Sequence, residues 1–255
     1  MLELPSCDIR RLPVIHPPDP PLWDWTGQAL VVGCGGIGSA LAEALRRRAP
    51  ALTVHTAGPS HGEHRLDLCS DSSLEAFVTD QADRLRPLRL VICSAGLLHG
   101  PDLLPEKRLS QVSRAALERS FAVNAFGPLL LARALEPLLP RDQPVLFASL
   151  SARVGSIGDN QLGGWYAYRA AKAAQNQLLR TLALEWRRRL PLATVTLLHP
   201  GTTATALSQP FRSGVPPERL FSPDRAAAQL LEVLAAQTPA SSGAFLAWDG
   251  QTIPW

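Results

Sequence analysis

The sequence predicts an α/β fold of the Rossmann-like kind: a doubly wound parallel sheet in a three-layer α/β/α arrangement, a single domain over residues 27–255. Three observations carry this. Apolar runs of strand length alternate with segments of helical spacing, the pattern of a mostly parallel sheet covered on both faces. A glycine-rich turn closes the first strand and opens a helix. The residues suited to chemistry fall at the carboxyl ends of strands or in the helices after them, where open α/β sheets bind ligands.

The chain of 255 residues, 46% of them hydrophobic, is long enough for one large core. Residues 1–26 hold Pro5, Pro13, Pro17, Pro18, Pro20 and Pro21, which forbid a regular helix and favour an extended arm. Leu22, Trp23 and Trp25 are suited to tack that arm onto the body or a neighbouring subunit; the alternative is a mobile tail.

From Gln28 the pattern changes. Ala29–Val32 reads as a buried strand, Gly33-Cys34-Gly35-Gly36-Ile37-Gly38 as a phosphate-binding turn, and Ser39–Leu45 as the helix after it. Gly33 permits the tight turn, Gly35 lets backbone approach a pyrophosphate, and Gly38 lets helix and strand pack closely. The helix N-terminus supplies amide donors and partial positive charge. Leu52–Thr56 is the second strand. No Asp or Glu follows at Thr56-Ala57-Gly58-Pro59, so the usual partner of a free ribose 2′-hydroxyl is missing. This tilts the reading from NAD towards NADP, with Ser60, His61, His64 or Arg65 as phosphate contacts.

Asp67-Leu68, a helix around 74–85 and a strand from Leu90 to Cys93 follow, the strand closing in Ser94-Ala95-Gly96. A helix over 111–135 contains Asn124 among apolar neighbours, where a buried amide needs hydrogen-bond partners. Val145–Ala148 is a strand ending in a serine cluster, Ser149, Ser151 and Ser156. Ala193–Leu198 is another, leading into Pro200-Gly201-Thr202-Thr203-Ala204-Thr205. Residues 206–222 read as a mobile loop, 223–236 as a helix and 243–248 as the last strand.

Between these lies the stretch that spends two scarce residue types together. The chain has two tyrosines, Tyr166 and Tyr168, and only two lysines, Lys107 and Lys172, among 25 basic residues. Tyr168 and Lys172 stand four apart in a helix over 167–189, hence on one face, whereas Tyr166 points away. An ammonium is a compact charge able to give up a proton when desolvated, which a guanidinium is not. A cation beside a phenol favours the phenolate, so Tyr168 is the candidate acid/base and Lys172 the group that tunes it.

These motifs, in this order and spacing, resemble the short-chain dehydrogenase/reductase family from about Gln28 onward. The stretch Ser151–Asn160, the following Gly-Gly-Trp-Tyr-Ala-Tyr-Arg and the closing Trp248–Trp255 are similar to its C-factor and sniffer-like carbonyl reductase branch. The resemblance implies hydride transfer between NADP or NAD and a carbonyl or alcohol. Tyr168 would exchange the hydroxyl proton, Lys172 would lower its pKa and bind the nicotinamide ribose, Asn124 would hold a relay water, and a serine would bind the substrate oxygen. It assigns to the cofactor the turn residues Gly33, Gly35, Gly36, Ile37 and Gly38, then Thr56, Asp67, Leu68 and Ser94–Gly96, and finally Pro200, Gly201, Thr203 and Thr205. Three positions depart from the family. The glycine turn is one residue short, Cys93-Ser94 replaces Asn-Asn, and the usual catalytic serine falls on Ala152, leaving Ser151, with Ser149 and Ser156 behind it.

Charge and cysteine usage bound the partners. The net charge is +3, and the arginine runs 46–48 and 187–189 fall at predicted helix C-termini, where cations suit the dipole; no nucleic-acid patch is expected. Four scattered cysteines without C-x-x-C pairing predict reduced thiols and no metal site. No basic segment precedes an apolar core at the start and no run is long enough to span a bilayer, so a cytoplasmic location is expected. Apolar helix faces around 111–135 and 166–189 point to a homodimer or homotetramer.

Overall fold

The computed structural model describes residues 20–255. Seven strands form one parallel sheet: β1 (Gly27–Val32), β2 (Leu52–Gly58), β3 (His64–Arg65), β4 (Leu88–Cys93), β5 (Val145–Leu150), β6 (Ala193–His199) and β9 (Ala244–Ala247), in the order β3-β2-β1-β4-β5-β6-β9. All their pairings are parallel. A parallel strand is buried on both faces and needs a near-continuous apolar run, which is why β4 and β5 are buried at every position.

Alternation along each strand divides the core in two. Leu30, Val91 and Phe147 face Phe77 of α2 (Asp71–Leu85), Leu131 of α4 (Gly127–Leu135) and Trp186 of α5 (Tyr166–Arg189). Val31, Ile92 and Leu146 face Leu41 and Leu45 of α1 (Gly36–Arg48) and Leu230 and Leu234 of α6 (Pro223–Ala235). The chain reverses its winding between β1 and β4, and the loops leaving those strands part there to open a crevice above the sheet.

Residues 22–25 pack on the α1/α6 layer. Leu22 and Trp25 are buried in that core, Arg48 covers the Trp23 ring at 3.9 Å and Arg89 the Trp25 ring at 4.3 Å. The expected arm's residues 1–19 lie outside the described residues. Both arginine runs occupy last helical turns, as expected.

Three differences from the sequence-based expectation have local causes. Helix α2 starts three residues early because Ser70 caps it, accepting from the Ser73 amide at 3.2 Å. The helix expected over 111–135 begins as α3 (Arg114–Phe121), capped by Ser113, and passes through a π turn at Ala122–Phe126 before α4. The stretch 206–222 contains 3₁₀ turns and ends in β8 (Leu220–Phe221), which pairs with β7 (Thr202–Thr203). Among the described residues no helix is long and apolar enough to cross a membrane.

Candidate active site

The glycine turn is shaped by backbone that leaves no room for side chains. Gly33 adopts φ +95°, and a Cβ there would lie 2.5 Å from the Ala95 amide; a Cβ on Gly38 would overlap the Gly33 carbonyl oxygen and Ser94 Oγ. Ser94 Oγ donates to the Gly33 carbonyl at 2.5 Å, so this departure from the family's asparagine ties the β4 loop to the glycine turn. Gly35, by contrast, has nothing within 4 Å of its Cβ position. It precedes α1, whose first turn has no side-chain cap, leaving amide donors for an anion. A trench follows: about 340 Å³ along Gly33–Gly38, Ser60 and His61, and about 140 Å³ around Tyr168 and Lys172, the two sharing Ile37, Ser94–Gly96, Thr205 and Leu207. An open cradle of uncapped amides within a trench that continues to Tyr168 and Lys172 fits a dinucleotide pyrophosphate and its two arms.

Tyr168 and Lys172 face this trench from α5, with Lys172 Nζ 5.8 Å from the phenol ring centre. Lys172 is only 2% exposed; Nζ donates to the Leu150 carbonyl and to Gln175 Oε1, each at 2.9 Å. Gln175 Nε2 in turn donates to Ser149 Oγ at 2.7 Å. Burial brings the Lys172 ammonium down to about 8 and pushes the Tyr168 phenol up. The rise, opposite in sign to the lowering expected from the ammonium, comes from desolvation of the buried ring.

The first turn of α5 is held from outside. Gly163, Gly164 and Trp165 all have positive φ, a strained run for a tryptophan. The Glu106 carbonyl accepts from the Trp165 amide at 2.5 Å, the buried Glu106 carboxylate accepts from the Ala167 amide at 3.2 Å, and Arg169 donates to the carbonyls of Gly163 and Gly164. On the other side Ser120 Oγ donates to the Ala167 carbonyl. Asn124, fully buried in the π turn, donates to Ser120 Oγ and the Leu97 carbonyl and accepts from the Leu97 amide, so its side chain clamps the β4 loop. π turns recur at functional positions in helices.

Of the serines, Ser151 lines the trench beside Ala152. Ser149 and Ser156 are buried, engaged by Gln175 and by the Asp159 amide, and are not in its lining. The segment after β6 contributes Pro200, Gly201, Thr203 and Thr205, with a Thr205 methyl 2.8 Å from the Cβ position of Gly36. His199 joins them; burial, and then Arg153, bring its imidazole down to about 4. Trp165 packs on Tyr168 and on Phe211 (ring centres 6.3 and 5.0 Å), and Phe211 meets His99, a chain of ring contacts leading away from Tyr168.

Three residues expected at the cofactor make other contacts. Thr56 is buried and accepts from the Glu63 amide; Asp67 accepts from the Cys69 amide; Leu68 packs into the core. None is in the trench lining. His64 and Arg65 are also outside it. Together with His55 and Glu63, His64 brings ligand atoms within 4.8 Å of one another, a grouping the scattered-cysteine argument did not address. Glu63 is paired with Arg46 at 2.6 Å and His55 with Gln28 at 2.8 Å, so these donors serve the β2–β3 edge. Gln175, Asn176 and Glu106 were missed by the sequence reading.

The fold and the site define an oxidoreductase that works with a nicotinamide dinucleotide. Comparison with known proteins agrees. The family profile described as enoyl-(acyl carrier protein) reductase matches residues 33–253. A 1-hydroxy-2-glutathionyl-2-methyl-3-butene dehydrogenase of Rhodococcus sp. (strain AD45) is 32% identical over 196 residues, 76% of this chain and 80% of that protein. The C-signal protein of Myxococcus xanthus is 36% identical over 148 residues, 58% of this chain and 83% of that one. In structure, an NADPH-bound carbonyl reductase from chicken fatty liver superposes with a TM-score of 0.74 at 23% identity, covering 90% of this chain and 99% of its own, a likeness of fold. The chain belongs to the short-chain dehydrogenase/reductase family. It is an NAD(P)-dependent enzyme transferring hydride between nicotinamide and a carbonyl or alcohol carbon.

Proposed function

We propose that this enzyme is an NADP-preferring reductase of apolar, small to medium carbonyl compounds, with Tyr168, Lys172, Asn124 and Ser151 as its catalytic set. The observation that carries the reading is the placement of Tyr168 and Lys172 on one wall of a trench whose other end is an uncapped glycine cradle. Gly35, Gly36 and Ile37 would hold the pyrophosphate, Ala95 and Gly96 the middle, and Pro200, Gly201, Thr203 and Thr205 the carboxamide end. A nicotinamide held there would supply or receive the hydride.

The chain's own residues manage the proton and the oxygen. Burial keeps the Tyr168 phenol protonated, the form that donates to a carbonyl oxygen during reduction. Lys172, whose ammonium lies near its working range, replaces that proton from behind. Asn124 fixes the β4 loop that floors the crevice. Ser151 hydrogen-bonds the substrate oxygen where charge develops.

NADP is favoured because, among the described residues, no carboxylate lines the 340 Å³ cavity, while Ser60 and His61 do line it. The chicken-liver relative carries NADPH. Ile37, Leu150 and Leu207 line the 140 Å³ part of the trench, apolar walls that suit a substrate of comparable character. We also read the enzyme as a cytoplasmic homodimer or homotetramer without a nucleic-acid or membrane partner.

The test is direct. NADPH and NADH are titrated against tryptophan fluorescence, and aldehydes and ketones are screened for loss of nicotinamide absorbance. NADPH should bind more tightly than NADH, and turnover should follow with apolar carbonyls. Failure of both nucleotides to bind overturns the reading; tight binding without turnover points instead to a signalling or scaffold role.

A further inference from the structure

A serine hydroxyl has one proton, and in this structure Ser151 gives it away from the crevice. Its Oγ donates to Asn176 Oδ1 at 2.6 Å, both side chains being buried, at 4% and 3% exposure. The other end of the same amide is orphaned: Asn176 Nδ2 is buried and has no hydrogen-bond partner among the described residues. A buried donor left idle beside a serine at the substrate site calls for an explanation.

Neither position 152 nor the other two serines of the cluster can take over the role of Ser151. Position 152 is an alanine, Ser149 is engaged by Gln175 beneath the trench, and Ser156 lies outside its lining. The carbonyl and amino ends of an asparagine side chain have nearly the same shape, and a half-turn about the terminal torsion exchanges them. After that half-turn Nδ2 donates to Ser151 Oγ, and the serine proton is released toward the crevice. One of the two idle amide protons is then used, and the carbonyl oxygen left behind is the less demanding of the two groups to leave unpaired.

Resting on the hydride-transfer reading above, we propose that Asn176 is a positioning residue whose amide polarity decides whether Ser151 donates inward or to the substrate oxygen. No bond is made or broken in the switch; only the direction of one O–H changes. The proposal supplies a donor for the substrate oxygen in a chain whose usual serine position is Ala152.

Substitutions at 176 separate polarity from packing. Asn176→Asp preserves the shape, but an ionised carboxylate only accepts and therefore holds Ser151 inward. NADPH-dependent kcat/KM should fall about 100-fold or more, the order expected for losing one oxyanion donor. NADPH affinity should stay within about threefold. A buried carboxyl has a raised pKa and donates once protonated, so activity relative to the native enzyme should recover as pH falls. Asn176→Ala leaves a cavity yet frees the serine, and should lose less than about tenfold, less than the isosteric aspartate. Ser151→Ala should lose about 100-fold, and adding Asn176→Asp to it should change nothing further.

Equal activity of the asparagine and aspartate forms at every pH overturns the proposal. So does an alanine form worse than the aspartate, or an aspartate effect that persists without Ser151. If the aspartate form does not fold, the alanine form decides: a loss as large as that of Ser151→Ala refutes the switch. A native enzyme without turnover, or one indifferent to Tyr168→Phe, sinks the hydride-transfer reading itself, and the switch with it. A Tyr168-dependent enzyme with a flat series at 176 sinks the switch alone.

Discussion

Lys172 is held by Gln175, one turn further along α5, with Nζ 2.9 Å from Oε1, and through Gln175 it is linked to Ser149 on β5. The spacing of three places both side chains on the buried face of one helix. The chain's two lysines thus differ in kind: Lys107 lies in a loop, whereas Lys172 is an amine enclosed by polar partners that accept its protons.

The first prediction concerns stability against pH. Folding lowers the Lys172 pKa from its ordinary 10.5 to about 8. Below about 8 both states carry the proton and the full burial penalty stands; between 8 and 10.5 the unfolded chain holds a proton that the folded one has released, so this group's contribution to stability rises with pH. The window corresponds to about 3 kcal/mol. Lys172→Met carries no such penalty. Urea unfolding of both forms should therefore show the native enzyme gaining on the variant by about 3 kcal/mol from neutral pH to pH 10.5. A gap that does not change with pH would show that the amine is not desolvated as described.

A second prediction separates charge from proton chemistry. Tyr168→Phe should reduce kcat by about 1,000-fold or more while leaving NADPH affinity within about twofold, since it removes only the proton-bearing oxygen. Lys172→Arg keeps the charge, but its fork is wider than the site between Leu150 and Gln175 and it does not release a proton. It should lose about 100-fold or more in kcat. Single-turnover absorbance traces beside fluorescence titration check both; an arginine form near native rates would refute a role for the amine's proton.

Much of this site was legible in the sequence, and the limits have physical causes. Scarcity singled out Tyr168 and Lys172, and helical spacing put them on one face, as observed. Strand, turn and helix placed the glycine cradle, because φ +95° at Gly33 and the close approach of Gly38 to Gly33 admit only glycine. Gln175 and Asn176 were within reach of the same spacing argument, lying three and four residues past Lys172, but polar residues on an apolar helix do not announce their partners. Glu106 was beyond reach, since it meets Ala167 from a loop 61 residues earlier. Thr56, Asp67 and Leu68 lie outside the trench lining, meeting the Glu63 amide, the Cys69 amide and the core, because the direction of a side chain near a strand end depends on the turn that follows.

The third prediction follows from that remote contact. Glu106→Ala strips the α5 amide at Ala167 of its acceptor, and should cost about 1–2 kcal/mol, the size of a lost helix cap. Glu106→Gln keeps a carbonyl for Ala167 and removes the charge from Oε1, which is buried without a partner. It should be at least as stable as the native chain, within about 0.5 kcal/mol. Denaturant midpoints order the three forms; a glutamine form as weak as the alanine form would mean that the charge, not the acceptor, holds the turn.

The last prediction uses two glycines three residues apart to tell scaffold from cofactor contact. At Gly38 a Cβ would overlap the Gly33 carbonyl and Ser94 Oγ, both fixed by the hydrogen bond between them, so neither yields without moving the β1 and β4 ends apart. Gly38→Ala should therefore destabilise the whole domain, by about 1–3 kcal/mol as overpacking does. At Gly35 the backbone is extended, with φ −77°, and nothing lies within 4 Å of the Cβ position. Gly35→Ala meets no steric obstacle to folding, and its unfolding free energy should stay within about 0.5 kcal/mol of native. The new methyl instead stands at the amide cradle where the pyrophosphate would approach, so NADPH affinity should weaken about tenfold or more. Unfolding curves without nucleotide, set beside NADPH titrations, give both numbers for each variant. If Gly35→Ala binds NADPH as the native protein does, the turn is a plain βα connection and the nucleotide lies elsewhere.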